Sequence, residues 1–365
     1  MKERNVNGDI LRILALLFVI GVHTLLNTNF YYTITKGPVM LFLHICRCLF
    51  MSCVPIFIIL SGYLMSKKEL NKSYLKKIIR IIATYLICST LCFILIHVIE
   101  GNTSELSIIN YTSGILSFSA APYAWYVEMY IGLFLLIPFL NILWNNLKNK
   151  RQKQYLLLIL FVIGILPNAV NIFNLQDLSW WLNPASSRAY HQLVPDFWVG
   201  TTYVILYYFI GCYLKEYKLN ISRNKNIIFL LLSIILFGIF NYYRNYNALF
   251  EWGSYVGNES LEVLVVTVLV VNLILNLKID IRSSELTKVI AKISYLTFGA
   301  YLLSTIFDRW LYPILNSHTN TIAERLPYLL LLVPIIFILS TILSYLVDLF
   351  IILGKRAAKK LNINI

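Results

Sequence analysis

Two ionisable residues, Arg12 and His23, lie in the first apolar segment of the chain, which is otherwise almost entirely hydrocarbon from residue 9 to residue 23. In a helix, their separation of eleven positions leaves the two side chains roughly 20° apart around the axis and roughly 16 Å apart along it. A guanidinium binds anionic groups, and an imidazole accepts or donates protons. Because ionisable groups at membrane depth are energetically costly, we interpret this pair as functional.

The composition indicates an integral membrane protein. Of the 365 residues, 59% are hydrophobic and 13% are charged, and the mean hydropathy is +0.72. An average soluble domain has about 25% charged residues. Apolar runs long enough to cross a hydrocarbon layer about 30 Å thick recur along the whole chain. Because the apolar–polar alternation of strands is absent, the sequence predicts an all-α fold.

Ten membrane-spanning helices are predicted, within one transmembrane domain that covers residues 1–365. The apolar segments are 9–27, 39–65, 78–99, 124–146, 154–172, 200–214, 226–242, 261–277, 289–306 and 327–353. The sixth segment is short, and the second is long enough to tilt or to extend along the membrane interface. No cleavage motif of small residues follows the first segment, and we expect it to remain as an anchor.

The net charge of +14 follows a membrane topology rather than nucleic-acid binding. Of the 31 Lys and Arg residues, 24 fall in the termini and loops that the ten-span arrangement places in the cytoplasm. The outer loops hold only Lys36, Arg188, Arg244, Arg309 and Arg325. This asymmetry is typical of the positive-inside rule and predicts that both termini are cytoplasmic. The lipid bilayer is therefore an expected partner, and nucleic acid is not.

The tryptophans leave two interpretations open. Six of the seven lie at predicted outer helix ends or in outer loops: Trp125, Trp180, Trp181, Trp198, Trp252 and Trp310. They form an aromatic belt at the membrane interface, a set of stacking surfaces for a sugar, or both.

The six cysteines all lie in apolar segments, where packing is their expected role. Cys46 and Cys48 lack the spacing and the neighbouring His or carboxylate groups of a metal site. We therefore expect neither a disulfide framework nor a metal centre.

Several short motifs follow one another along the apolar segments in a fixed order. They are Asp9-x-x-Arg12 followed by His23, Val54–Leu64, Lys77-Ile-Ile-Arg80, Trp125-Tyr126 leading to Pro138, Tyr208–Gly211 and Ser294–Leu302. This ordered set covers nearly the whole chain and resembles the membrane acyltransferase-3 family, which contains integral O-acyltransferases of cell-envelope polysaccharides. The Arg–His pair alone is unspecific, whereas the ordered set is specific.

The resemblance implies roles for five residues of the first three spans. His23 matches the histidine implied to take a proton from a hydroxyl that attacks a thioester. Arg12 matches an arginine implied to bind the donor or to orient the catalytic groups, with a positive-inside anchor as the alternative. Asp9 would orient Arg12 or stabilise the helix N-terminus. Lys77 and Arg80 resemble an Arg-x-x-Arg pair on the acyl-donor side, with ordinary positive-inside charge as the alternative.

Four further residues are candidates for substrate binding. Trp125 and Tyr126 open span four in the position that the family motif occupies. Ser61 either faces the site or, beside Gly62, belongs to a close approach of two helices, and we favour packing. Arg47 lies in the outer third of span two and needs an acidic partner or a wet cavity, and the resemblance gives it no role.

Two departures from the family pattern favour the branch without a fused secreted domain. In many relatives acidic residues follow the tryptophan of span four, whereas Tyr130 and Ile131 occupy those positions here. The ninth span of the family usually ends in Tyr-Leu-x-His, whereas this chain has Ser304 in place of the histidine.

The resemblance implies acyl transfer, with acetyl expected, from cytoplasmic acyl-CoA to an envelope polysaccharide or its lipid-linked precursor. The donor would be held at Arg12 and the acceptor activated at His23, without a metal, in a bacterial cell membrane. The alternative is a transporter of a small solute such as an amino acid, as in the membrane module fused to serine racemases of resistance proteins. Release of CoA from labelled acetyl-CoA or concentrative solute uptake distinguishes these two functions.

Overall fold

The apolar segments form helices because a helix satisfies its own backbone N–H and C=O groups, as a lipid environment requires. The computed structural model describes residues 5–186, 191–197, 202–277 and 284–360. Arg188, Trp198 and the start of the sixth predicted span lie outside these ranges. The α-helices within them are α1 (Val6–Asn27), α2 (Gly37–Phe50), α3 (Cys53–Met65), α4 (Lys72–Ile99), α5 (Ile108–Leu116), α6 (Trp125–Asn146), α7 (Lys150–Gly164), α8 (Leu166–Val170), α9 (Thr202–Glu216), α10 (Arg223–Arg244), α11 (Leu261–Leu275), α12 (Ser284–Ser317) and α13 (Ile322–Lys360).

Seven helical segments are long and apolar enough to cross a membrane, and they coincide with seven of the ten predicted spans. They are Val6–Tyr32, Gly37–Met65, Lys72–Ile99, Trp125–Asn146, Arg223–Arg244, Glu285–Ser317 and Ile322–Leu353. The other three predicted spans contain α7 with α8, α9 and α11, none longer than 15 residues. The prediction of an all-α, multi-pass membrane protein is confirmed, and the count of ten spans stays a prediction.

The second predicted span consists of two helices, α2 and α3, instead of one. Pro55, the third residue of α3, has no N–H, and its ring would clash with the carbonyl group of Met51 in a continuous helix. The Ser52 hydroxyl donates to the Leu49 carbonyl oxygen at 2.6 Å, which satisfies one carbonyl at the end of α2. The segment therefore lies where hydropathy places it but is interrupted at the proline.

α3 and α9 cross at a point where each helix has a glycine. Among the described glycines, these two lie closest to the backbone of another helix. A Cβ atom added to Gly62 would overlap the Tyr208 carbonyl oxygen, and one added to Gly211 would overlap the Ile59 carbonyl oxygen. Small residues let membrane helices approach to backbone contact in this way. The close approach indicated by Gly62 in the sequence is therefore present.

The first helix, α1, packs against α12, α3, α13 and α2, and these contacts fix the face that carries Arg12 and His23. The Asn5 side chain caps its N-terminus by accepting a hydrogen bond from the Gly8 N–H at 3.0 Å. The Asn7 amide donates to the carbonyl oxygens of Ile274, Leu275 and Leu277 at 2.9 to 3.1 Å. These bonds satisfy terminal carbonyl groups of α11 and hold the start of α1 in place.

Candidate active site

A cavity of about 410 Å³ runs beside α1, between residues of α3, α4, α6, α12 and α13. Four of the residues selected from the sequence line it, namely Arg12, Ser61, Arg80 and Tyr126. The rest of its surface is largely apolar, and the last α1 residue that lines it is Val19. The cavity therefore follows the face of α1 that leads from Arg12 towards His23.

Arg12 is held at one end of the cavity by a buried carboxylate. Its guanidinium lies 3.2 Å from Asp9 Oδ1 and donates to Ser294 Oγ at 3.4 Å. Ser294 in turn donates to Asp9 Oδ1 at 2.7 Å. Asp9 is 3% exposed, whereas the Arg12 side chain is 35% exposed. Because a guanidinium has five N–H donors, Arg12 can pair with Asp9 and still bind an anion in the cavity.

A second cation, Arg80, lines the same cavity and lies over an aromatic ring. The Arg80 guanidinium carbon is 4.1 Å from the centroid of Tyr295, whose hydroxyl donates to Asp348 Oδ1 at 2.9 Å. Asp348 also pairs with Lys292 at 2.7 Å. Lys77, one helical turn before Arg80, lines a different, polar depression. The structure thus brings Arg80, but not Lys77, to the cavity.

His23 lies beyond Val19 and is stacked against Tyr123, with ring centroids 3.4 Å apart and planes inclined by 22°. Its Nδ1 atom is 3.9 Å from Asp308 Oδ2, and the Tyr123 hydroxyl donates to the same oxygen at 2.9 Å. The His23 side chain is 12% exposed and that of Asp308 is 1% exposed. A buried imidazole therefore faces a buried carboxylate, with an aromatic ring fixing its plane.

Asn27, one helical turn after His23, connects these groups. Its amide donates to the His23 carbonyl oxygen at 2.7 Å and to the Tyr123 hydroxyl at 3.2 Å. Burial and the nearby Asp308 charge raise the pKa of Tyr123 well above its usual value, and this phenol therefore stays a hydrogen-bond donor. Within the described residues, His23 Nδ1 and Asp308 Oδ1 have no hydrogen-bond partner, which leaves both available for a proton or a water molecule.

Sequence reasoning missed Asp308, Tyr123 and Ser294 as functional candidates. The ninth predicted span ends at residue 306, whereas α12 continues to Ser317 and includes Asp308. The sequence does contain one signal that indicates Asp308 as a candidate. Asp308 follows Ser304 by four residues, so that both side chains share one helix face. The carboxylate therefore lies one turn beyond the position where the family pattern has a histidine.

Tyr126 and Trp125 begin α6 but have different surroundings. Tyr126 is 8% exposed and lines the cavity, whereas Trp125 is 44% exposed and does not line it. The Ser61 hydroxyl lies at the cavity and donates to the Phe57 carbonyl oxygen at 2.9 Å. A role of Trp125 or Ser61 in substrate binding stays a prediction.

Arg47 belongs to a separate buried cluster. Its side chain is fully buried, pairs with Glu262 at 3.4 Å, and donates to the Tyr31 hydroxyl at 3.2 Å and the Val256 carbonyl oxygen at 3.1 Å. Glu262 also accepts from the Asn241 amide at 2.6 Å. These contacts provide the acidic partner that the sequence required and connect α2 to α11. Arg47 does not line the cavity, and its assignment to substrate binding stays a prediction.

Comparison with known proteins gives one family match. Residues 5–348, which are nearly the entire chain, match the family model described as an acyltransferase domain of type 3. Neither the curated proteins nor the solved structures that were compared with the chain gave a match.

Proposed function

This chain belongs to the acyltransferase-3 family, and we propose on this basis that it moves an acyl group from acyl-CoA to a sugar hydroxyl. The family supports membrane O-acyltransferase activity in general. The proposal adds acetyl as the acyl group, an envelope polysaccharide or its lipid-linked precursor as the acceptor, and the bacterial cell membrane as the location.

The observation that supports this reaction is the arrangement of a cavity and a histidine along one helix. Arg12 and Arg80 both line the cavity, and their charges suit the phosphate groups of CoA. The cavity reaches Val19, one turn before His23, and its volume of about 410 Å³ is typical of small-molecule sites. A pantetheine arm extended from the two arginines along α1 would carry its thioester towards the imidazole.

In the proposed reaction, His23 Nε2 accepts the proton of the acceptor hydroxyl while the hydroxyl oxygen attacks the thioester carbonyl carbon. A C–O bond forms, and collapse of the tetrahedral intermediate breaks the C–S bond. The imidazolium then returns the proton to the CoA thiolate, which leaves as a thiol. Asp308, on the Nδ1 side of the ring, stabilises the transient imidazolium as the carboxylate of a Ser-His-Asp triad does.

The charge pattern supports access of the two substrates from opposite sides. It predicts that the Arg12 end of α1 faces the cytoplasm, where acyl-CoA is made. His23 lies further along α1 towards the predicted outer side, where envelope polysaccharides are exposed. Transfer between them therefore requires neither substrate to cross the membrane completely.

The test uses purified protein in lipid nanodiscs with labelled acetyl-CoA and envelope polysaccharide as the acceptor, and mass spectrometry of envelope polymers from cells with and without the protein. We expect CoA release and acetylated polymer with the wild type, and loss of both with His23→Ala, because the general base is removed. His318→Ala serves as the matched control, because His318 is exposed and bonds only to its own helix and a neighbouring serine in the described residues. Polymer acylation that survives in His23→Ala would remove His23 from the reaction.

A further inference from the structure

Four aromatic residues form one wall of the cavity. The Tyr126 ring is surrounded by Phe57, Tyr130 and Tyr301, with centroid distances of 5.8, 5.9 and 5.9 Å. All four residues line the cavity, yet Tyr126 is only 8% exposed and Tyr301 only 6%. The rings of Tyr126 and Tyr301 meet edge to face at 82°, which is a favoured geometry for aromatic pairs.

This wall is connected directly to the histidine. The Tyr301 hydroxyl donates to the backbone carbonyl oxygen of Tyr123, and the Tyr123 ring stacks on His23. His23 itself does not line the cavity, although Val19, one turn earlier on α1, does. The Tyr301 ring therefore links the cavity lining to Tyr123, whose ring stacks on the imidazole.

The region on the far side of the wall is densely packed. Tyr123, Asp308, Thr24 and Tyr312 are between 1% and 8% exposed, and the hydroxyl groups of Thr24 and Tyr312 are hydrogen-bonded to each other. A group that passes the wall therefore enters a space bounded by buried side chains. Overfilling such a space forces side chains out of their preferred rotamers, and each added methylene group makes this worse.

We propose that Tyr126 and Tyr301 form an acyl-length filter that admits short acyl groups to His23 and excludes long ones. This inference rests on the proposed function, because it assumes that a CoA thioester enters through the cavity with its acyl group leading. An acetyl group needs only a small displacement of the two rings. A hexanoyl group needs room beyond the wall for four further carbon atoms, where the buried side chains leave little.

The test compares kcat/KM for hexanoyl-CoA with kcat/KM for acetyl-CoA, measured as CoA release by the nanodisc protein with the same envelope polysaccharide as the acceptor. We expect Tyr126→Leu to raise the hexanoyl-to-acetyl ratio at least about tenfold, because pockets discriminate by about this factor per methylene group. Tyr126→Phe keeps the ring and is expected to keep the ratio of the wild type. Tyr130→Leu is the matched control, because Tyr130 lines the cavity and contacts Tyr126 but makes no ring contact with Tyr301.

A second variant covers the case in which Tyr126→Leu does not fold. Tyr301→Phe keeps the ring but removes the hydrogen bond to the Tyr123 carbonyl oxygen, and we expect it to shift the ratio in the same direction by a smaller factor. An unchanged ratio in both variants, with CoA still released from acetyl-CoA, overturns the filter and leaves acyl transfer standing. An equal shift in Tyr130→Leu also overturns it. Absence of CoA release from every thioester with the wild type overturns the proposed function and the filter together.

Discussion

The His23 imidazole is constrained by residues from two distant parts of the chain. Tyr123 covers one face of the ring, and Asp308 lies opposite Nδ1 at 3.9 Å. The Nε2 atom is therefore the one placed to meet a reactant. In a buried site the local dielectric constant is low, and a carboxylate stabilises a transient imidazolium more strongly there than it does in water.

Replacing Asp308 with asparagine is expected to lower kcat for CoA release by about 100-fold or more, because the shape of the side chain is kept while its charge is lost. Asp308 does not line the donor cavity, and KM for acetyl-CoA should therefore change little. Steady-state kinetics of CoA release in nanodiscs measure both quantities.

Glu100→Gln is the control for this substitution. Glu100 pairs with Arg309, the residue next to Asp308, but its side chain is 34% exposed and it does not contact His23. Its loss should leave kcat near the wild-type value. If Asp308→Asn turns over acetyl-CoA as fast as the wild type, the carboxylate has no part in the reaction.

Arg80 and Lys77 provide a second test at the residue scale, because the family resemblance treats them alike and the structure separates them. Arg80 lines the cavity, whereas Lys77 lines a different depression. We expect Arg80→Gln to raise KM for acetyl-CoA about tenfold through loss of a charge-assisted phosphate contact, and Lys77→Gln to raise it less. Equal effects of the two substitutions on KM would show that the phosphates do not bind in this cavity.

At the scale of elements, hydropathy predicted where most helices lie but not where they break or end. Pro55 interrupts the second span because of backbone geometry within a run that is uniformly apolar. α12 continues to Ser317, past the end of its apolar run, because α1 and α13 pack against it. Asp308 therefore lies in a helix although it follows the end of the ninth predicted span at residue 306. The pairs Asp308–His23 and Arg47–Glu262 join residues far apart in the chain, and one sequence without tertiary information cannot reveal them.

The α3–α9 crossing makes a stability prediction at this scale. Gly62→Ala places a Cβ atom on the Tyr208 carbonyl oxygen, and α3 and α9 can relieve this overlap only by moving apart. We expect a loss of about 3 kcal/mol in the free energy of unfolding, at the upper end of overpacking costs. Thermal unfolding in detergent should show a lower midpoint for this variant.

Gly132→Ala is the matched control for the crossing. Gly132 lies inside α6 and has no heavy atom within 4 Å of an added Cβ. Alanine is favoured over glycine within a helix by up to about 1 kcal/mol, and this variant should therefore unfold at the same or a higher temperature. A Gly62→Ala protein as stable as Gly132→Ala would show that the two helices do not cross at backbone contact.

For the whole molecule, two pairs of arginines differ in their surroundings. Arg47 pairs with Glu262 and Arg244 pairs with Glu251, and both arginines are at most 3% exposed. Arg12 and Arg80, in contrast, line a cavity that a ligand can enter. The Arg47–Glu262 pair connects α2 to α11, and the Arg244–Glu251 pair connects α10 to the loop that follows it. Arg12 of α1 and Arg80 of α4 give the cavity a positive charge that suits an anionic donor.

The side of the membrane that Arg12 and Arg80 face depends on the topology. Labelling of single introduced cysteines tests this topology. Gln176, Lys218, Ser254 and Asn276 are exposed and follow α8, α9, α10 and α11, and the exposed Arg151 is the second residue of α7. If each intervening segment crosses the bilayer, an impermeant maleimide should label Gln176→Cys and Ser254→Cys in intact cells and the other three only after permeabilisation. The native cysteines are buried or half-buried and contribute little background.

The short helices decide the outcome, because 15 residues span only about 22 Å and need local thinning of a bilayer about 30 Å thick. Two neighbouring positions that label from the same side would remove the segment between them from the count of ten, and an outward-facing Arg151 would place the donor cavity on the side without acyl-CoA.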